Sequence, residues 1–170
     1  YRLYQLIAAL AEHSIYITGA YPLAPAPLRR ALASAARAGV DVRLLAPGRS
    51  DIPIVNQAAR ARYGSLLRAG VRIYEWNGPM LHAKTVVADG TWALVGSSNL
   101  NPFSLFGCHE LDVEIQDGAI AQQLERQFLA DLENATEITL DAWPRRSRAQ
   151  RFRERLAAAL LWFPHRLYSG

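Results

Sequence analysis

HAKTVVADGTWALVGSSN, residues 82 to 99, is the stretch on which the fold turns. Apolar and β-branched residues run on either side of Asp89-Gly90, and Asp-Gly between two such runs signals a hairpin. Two residues cannot make a parallel crossover, so the two strands are antiparallel. A two-residue turn pairs Ala88 with Thr91, Val86 with Ala93, Lys84 with Val95 and His82 with Ser97. Because side chains alternate along a strand, His82 and Lys84 then share one face, Ser97 rises opposite His82, and Asn99 follows two residues on. An imidazole, an ammonium, a hydroxyl and an amide on one face suit a phosphate. The fixed cation and the neutral donors hold its non-bridging oxygens and neutralise charge in the transition state.

Outside the hairpin, helical and extended patterns alternate. Residues 1 to 13 read as an amphipathic helix, and SIYITG (14 to 19) as a strand. Pro22, Pro25 and Pro27 lead into a helix over 28 to 39 that stops at Gly39, and VDVRLLAP (40 to 47) is the next strand. A helix from about Ile54 to Ala69 ends at Gly70, and VRIYEW (71 to 76) follows as a strand. Beyond the hairpin come a strand in LDVEIQD (111 to 117) and a helix over about Ala119 to Leu132. Strands separated by helices of this length predict an α/β fold, a mixed β-sheet flanked by helices on both faces.

The 170 residues are 51% hydrophobic, enough for one ordinary core. The net charge is +4, but residues 141 to 170 hold seven Arg against Asp141 and Glu154, so residues 1 to 140 sum to −1. The body is near neutral, which disfavours nucleic acid as partner, because phosphate contacts dominate nucleic-acid affinity. We therefore expect a catalytic domain over 1 to 140 and a basic amphipathic tail over 141 to 170. In that tail Phe152, Leu156, Leu160 and Phe163 form one apolar stripe beside Arg148, Arg151 and Arg155, a pattern suited to an anionic membrane surface. Cys108 is the only cysteine and has no metal-ligand spacing around it, so no metal and no cofactor are assigned. The start at Tyr1 falls inside a helical pattern, and the chain is expected to be a piece of a longer protein.

Taken together, His82-x-Lys84-x4-Asp89-x6-Gly96-Ser97-x-Asn99 resembles the HKD signature of the phospholipase D superfamily, six positions at fixed offsets. The segments GSSNLNPFSL (96 to 105) and GRSDIPIV (48 to 55) look like the C-terminal half of bacterial cardiolipin synthases. The resemblance implies a phospholipase D-like half-domain and a double displacement. One motif histidine attacks phosphorus to give a phosphohistidine, and a partner histidine from a second HKD half, in the same chain or another subunit, serves as acid and base. It assigns catalysis to His82, Lys84, Asp89 and Glu110, and phosphate binding to Lys84, Ser97 and Asn99. Glu110 would accept the Nδ1 proton of His82 and so orient the ring.

Some of these residues also have structural reasons to be present. Asp89 suits the first position of an Asp-Gly turn, and Gly96 suits tight backbone geometry beside the site. His13, His109 and His165 match no motif position. The implied function is a phosphatidyl transferase that makes cardiolipin from phosphatidylglycerol, peripheral on the cytoplasmic side of the bacterial inner membrane. The alternative is an endonuclease or phosphodiesterase of the same superfamily acting as a homodimer; a non-catalytic relative is disfavoured because no motif residue is lost.

Overall fold

The computed structural model describes residues 1–162, with side chains through Leu161. Seven strands form one mixed sheet in the order β6-β5-β4-β1-β2-β3-β7. The strands are β1 (Ser14–Gly19), β2 (Asp41–Pro47), β3 (Arg72–Trp76), β4 (Lys84–Ala88), β5 (Trp92–Gly96), β6 (Asp112–Ile115) and β7 (Ala135–Ile138). β1, β2 and β3 are parallel, joined by α2 (Ala26–Arg37) and α3 (Pro53–Leu67). β4, β5 and β6 continue the sheet from β1, each antiparallel to the strand before it in the sheet, and β7 closes the other edge antiparallel to β3.

Alternation along the central strands sorts the core onto two sides. Ile15, Ile17, Val42, Leu44 and Ile73 face α2, α3 and the N-terminal helix α1 (Arg2–Leu10). The intervening Tyr16, Leu45 and Tyr74 pack against Phe128 of α5 (Gly118–Glu133) on the opposite face. The α/β class and the mixed sheet with helices on both faces agree with the sequence reading. β7 was not anticipated. It is four residues long and half exposed, and its place depends on pairing with β3, where Glu137 takes the Arg72 guanidinium at 2.9 and 3.1 Å. The short helix α4 (Pro102–Gly107) was also missed, although its signals are local. Pro102 occupies the first turn, and Asn101 caps it by accepting the Ser104 N–H at 3.0 Å.

The hairpin itself requires a correction. Asp89 and Gly90 both take left-handed backbone, at φ 53 and 60, and the Thr91 N–H donates to the Ala88 carbonyl at 3.2 Å. The ladder resumes at Ala88↔Trp92, not Ala88↔Thr91, so Thr91 is an extra residue and every pair shifts by one. Continued past Thr85↔Val95, this register sets Lys84 against Gly96, and His82 precedes the strand. The physical reason lies far away in sequence. The Asp89 carboxylate accepts the backbone N–H groups of Glu12, His13 and Ser14 at 2.8 to 2.9 Å, and its own N–H donates to the Ser14 carbonyl at 3.1 Å. That tie holds the turn against the start of β1.

The tail is not separate from the fold. After a single 3-10 turn at Trp143–Arg145, α6 (Arg148–Trp162) lies on α3. Glu154, 2% exposed, accepts from Arg60 at 3.3 Å and forms an ion pair with Arg146. Arg146 lies 3.2 Å from the centroid of the Trp143 ring, and Trp143 packs on Tyr63. The predicted stripe of Phe152, Leu156 and Leu160 points outward, and its fourth member, Phe163, lies outside the described residues.

Candidate active site

The strand directions gather the site loops at one edge of the sheet. The C-terminal ends of β1, β2, β3 and β5 and the N-terminal ends of β4 and β6 all open there. Residues distant in sequence therefore meet. Tyr21 comes from the loop after β1, Asp51 from the loop after β2, and His82 and Lys84 from the entry to β4. Ser97 and Asn99 follow β5, and Glu110 precedes β6.

His82 is exposed on this edge, and its ring meets the Tyr21 ring edge-on with centroids 5.9 Å apart. The Lys84 ammonium donates to the His82 carbonyl at 2.7 Å. Burial holds Lys84 below the ordinary lysine range, and the Glu110 carboxylate acts against that shift. Glu110 accepts the Ser104 hydroxyl. Ser104 and then Ser97, as donors, hold it below the usual carboxylate range, and Lys84 adds to the effect. His82 makes no side-chain hydrogen bond among the described residues, so the pairing with Glu110 that the resemblance implies is not formed here.

Ser97 does not rise opposite His82. Its hydroxyl accepts the Leu111 N–H at 2.9 Å, and its own N–H donates to the Leu111 carbonyl at 3.0 Å, which extends the β5–β6 ladder. Asn99 donates its backbone N–H to Ser104 Oγ at 2.8 Å. Its buried Oδ1 accepts nothing among the described residues. A buried acceptor without a donor costs roughly 1–3 kcal/mol and marks a place where a ligand could supply one. Gly96 is set by close approach, since a Cβ there would stand 2.5 Å from the Leu111 carbonyl oxygen and 2.6 Å from Asp112 Cα. Asp112 in turn accepts the Ser98 N–H at 3.0 Å, fixing the chain just beyond Gly96.

Asp89 stands apart from these residues. It follows the far end of β4, with its carboxylate occupied by three backbone amides, and cannot reach groups at the other edge. The structure thus brings His82, Lys84, Ser97, Asn99 and Glu110 to one edge and leaves Asp89 as a brace at the other. No three His, Cys, Asp or Glu among the described residues come together to hold a metal ion.

The sequence family described as cardiolipin synthase, PLD-like domain, matches residues 4–132, a span that contains all of these residues. The chain belongs to that family. A cardiolipin synthase of Clostridium perfringens strain SM101 is 36% identical over 85% of this chain and 30% of its own length. The minor cardiolipin synthase ClsB of Bacillus subtilis is 32% identical over 91% of this chain and 39% of its own. The chain therefore spans about a third of the length of these curated relatives. Among solved structures, Nuc of Salmonella typhimurium, a phospholipase D family member, superposes with a TM-score of 0.71 at 20% identity, covering 81% of this chain and 90% of that one. The phosphatidylserine synthase of Haemophilus influenzae gives 0.72 at 15% identity, over 95% and 41%. At these identities the solved structures establish the fold.

Three residues at this edge escaped the sequence reading. Tyr21 donates its phenol to both Asp51 oxygens, at 2.7 and 2.8 Å, and Ser104 joins Glu110 to the Asn99 backbone. Burial and then Asp51 push the Tyr21 phenol up to about 12, and Tyr21 as donor holds Asp51 below the ordinary aspartate range. A usable signal existed: both GRSDIPIV and GSSNLNPFSL carry the resemblance to the synthases, and they contain Asp51 and Ser104.

Proposed function

We propose that this chain is one catalytic half of a phosphatidyl transferase that forms cardiolipin from phosphatidylglycerol. The observation that carries the reading is the convergence of an exposed His82 with Lys84, Glu110 and Asn99 on one sheet edge of a chain in this family. In the proposed reaction His82, or its counterpart in a second half, attacks the phosphodiester phosphorus through Nε2. The P–O bond to glycerol breaks as the other histidine protonates the leaving alkoxide. That second histidine then removes the proton of an incoming phosphatidylglycerol hydroxyl, whose oxygen takes the phosphatidyl group and frees the nucleophile. Lys84 neutralises the non-bridging oxygens, and the Asn99 amide offers a further polar contact. A single histidine cannot serve both sides of phosphorus at once, so a second motif must be supplied. No helix of the described residues is long and apolar enough to cross a membrane. The proposal places the chain at the cytoplasmic surface of the bacterial inner membrane.

The test is lipid turnover by the complete protein that carries this chain. His82→Ala should lower cardiolipin formation by roughly three powers of ten with the fold intact, and Lys84→Ala should act in the same direction. Near wild-type product formation by His82→Ala would remove the proposal. Isotope from a headgroup-labelled donor should leave as glycerol, and the covalent intermediate should be acid-labile and stable in base.

A further inference from the structure

The outward face of α6 has no role in the core or in the reaction. Glu154 is the only acidic residue between Ala142 and Trp162, and it is turned onto α3, where Arg60 and Arg146 take up its charge. The solvent side of the helix is left with cations alone, from the exposed Arg148, Arg151, Arg153 and Arg155. Among them run Phe152, Leu156 and Leu160, exposed by 67%, 48% and 56% and spaced four apart, so they form one continuous apolar stripe.

The stripe has a direction relative to the site. Trp143 packs on Tyr63 and Gly64, while Glu154 meets Arg60, so α6 advances as α3 runs back towards its start at Pro53. That start follows the loop of Asp51, on the edge that holds His82. Ile52 and Ile54 at the same end are exposed by 43% and 39%. Apolar side chains thus continue from α6 towards the mouth of the candidate site.

We propose that this face docks on an anionic phospholipid bilayer, with α6 lying in the headgroup boundary and the His82 edge brought towards the same surface. An apolar stripe bordered only by Arg fits that boundary, where acyl chains take up the stripe and anionic headgroups the guanidinium groups. A nucleic acid would use the Arg side chains and leave the three large apolar groups in water. The inference deepens the lipid-transferase reading, but its test measures binding without turnover, so the two can fail separately.

The experiment uses the full chain with vesicles of phosphatidylcholine, with and without phosphatidylglycerol. Binding should need phosphatidylglycerol and weaken with salt. Leu156→Gln combined with Leu160→Gln should cut affinity about tenfold or more, with helicity and melting temperature unchanged, because both side chains are already exposed. Replacing Arg148, Arg151 and Arg155 by Gln should abolish the preference for phosphatidylglycerol. In a Cys108→Ser background, a polarity-sensitive dye on Leu160→Cys should enter an apolar environment on binding, and the same dye on Arg126→Cys in α5 should not. The proposal is overturned if the double Leu variant binds vesicles as tightly as the parent. It is equally overturned if the α5 dye responds and the α6 dye does not, or if the Arg side chains serve duplex DNA and not vesicles.

Discussion

The Tyr21 phenol donates to both carboxylate oxygens of Asp51, at 2.7 and 2.8 Å, while the Tyr21 ring meets His82 edge-on. The loops after β1 and β2 are tied together by this contact, and the tie ends on the imidazole. Tyr21→Phe keeps the ring and releases the tether, whereas Tyr21→Ala removes both. His82 ring resonances should broaden or shift modestly in the first variant and strongly in the second, with melting temperature little changed in either. Identical His82 spectra in Tyr21→Ala and the parent would show that the ring is not held by Tyr21.

Lys84 is the only lysine of the chain, so its titration can be read without interference from another. Burial lowers its pKa and Glu110 raises it. Removing the carboxylate charge with Glu110→Gln should therefore move the Lys84 titration further down, not up. Carbon-13 methylation of the lysine and a pH series by NMR measure this directly. An unchanged or raised Lys84 value in Glu110→Gln would mean that the two charges do not face one another in solution.

Asp89 should matter for stability and not for chemistry. Burial alone would raise its pKa, but amide donors from Glu12, Ser14 and His13 outweigh that and hold it low. Its contribution is thus complete above the unfolded aspartate value of about 3.9 and disappears as pH falls through the lower folded value. Asp89→Asn keeps a residue tolerant of left-handed backbone while discarding the charge, and should cost about 2 kcal/mol near neutrality, or roughly 6 °C in melting temperature. The difference from the parent should shrink steadily as pH falls from about 3.9 towards the lower folded value. An equal gap across that range would assign the loss to shape and not to charge.

Glu154 ties α6 to α3, and its removal leaves the half-buried Arg146 without its carboxylate and Arg60 with Glu75 alone. Glu154→Ala should cost about 3–5 kcal/mol at the α3–α6 contact. Hydrogen exchange should show α6 amides losing protection while β1 and β2 keep theirs. Uniform loss across the sheet would place Glu154 in the global core; full protection of α6 would show that the apolar contacts alone hold the helix.

Much of this molecule follows from local sequence. Periodicity located the central strands and the helices between them, because the spacing of apolar residues reports which sides of an element avoid water. Type and offset singled out His82, Lys84, Ser97 and Asn99, and the resemblance added Glu110; the fold gathers these five at one edge and leaves Asp89 at the other. What local pattern could not supply was the register of the hairpin. Asp89-Gly90 permits a two-residue turn, and the choice of an additional residue at Thr91 goes with amide donors from Glu12, His13 and Ser14, more than seventy positions away. The same limit applies to the tail. Its helix was visible as amphipathic, and the long apolar side chains of Phe152, Leu156 and Leu160 stood out as a stripe for a membrane surface, with nothing to show what would meet α3. The covered face instead carries Glu154 and Ala157, because Arg60 and Arg146 give the carboxylate a partner there and a small residue lets the helices approach. A sequence determines which groups each element offers; which of them are covered depends on what the rest of the fold places opposite, and only the tertiary structure supplies that.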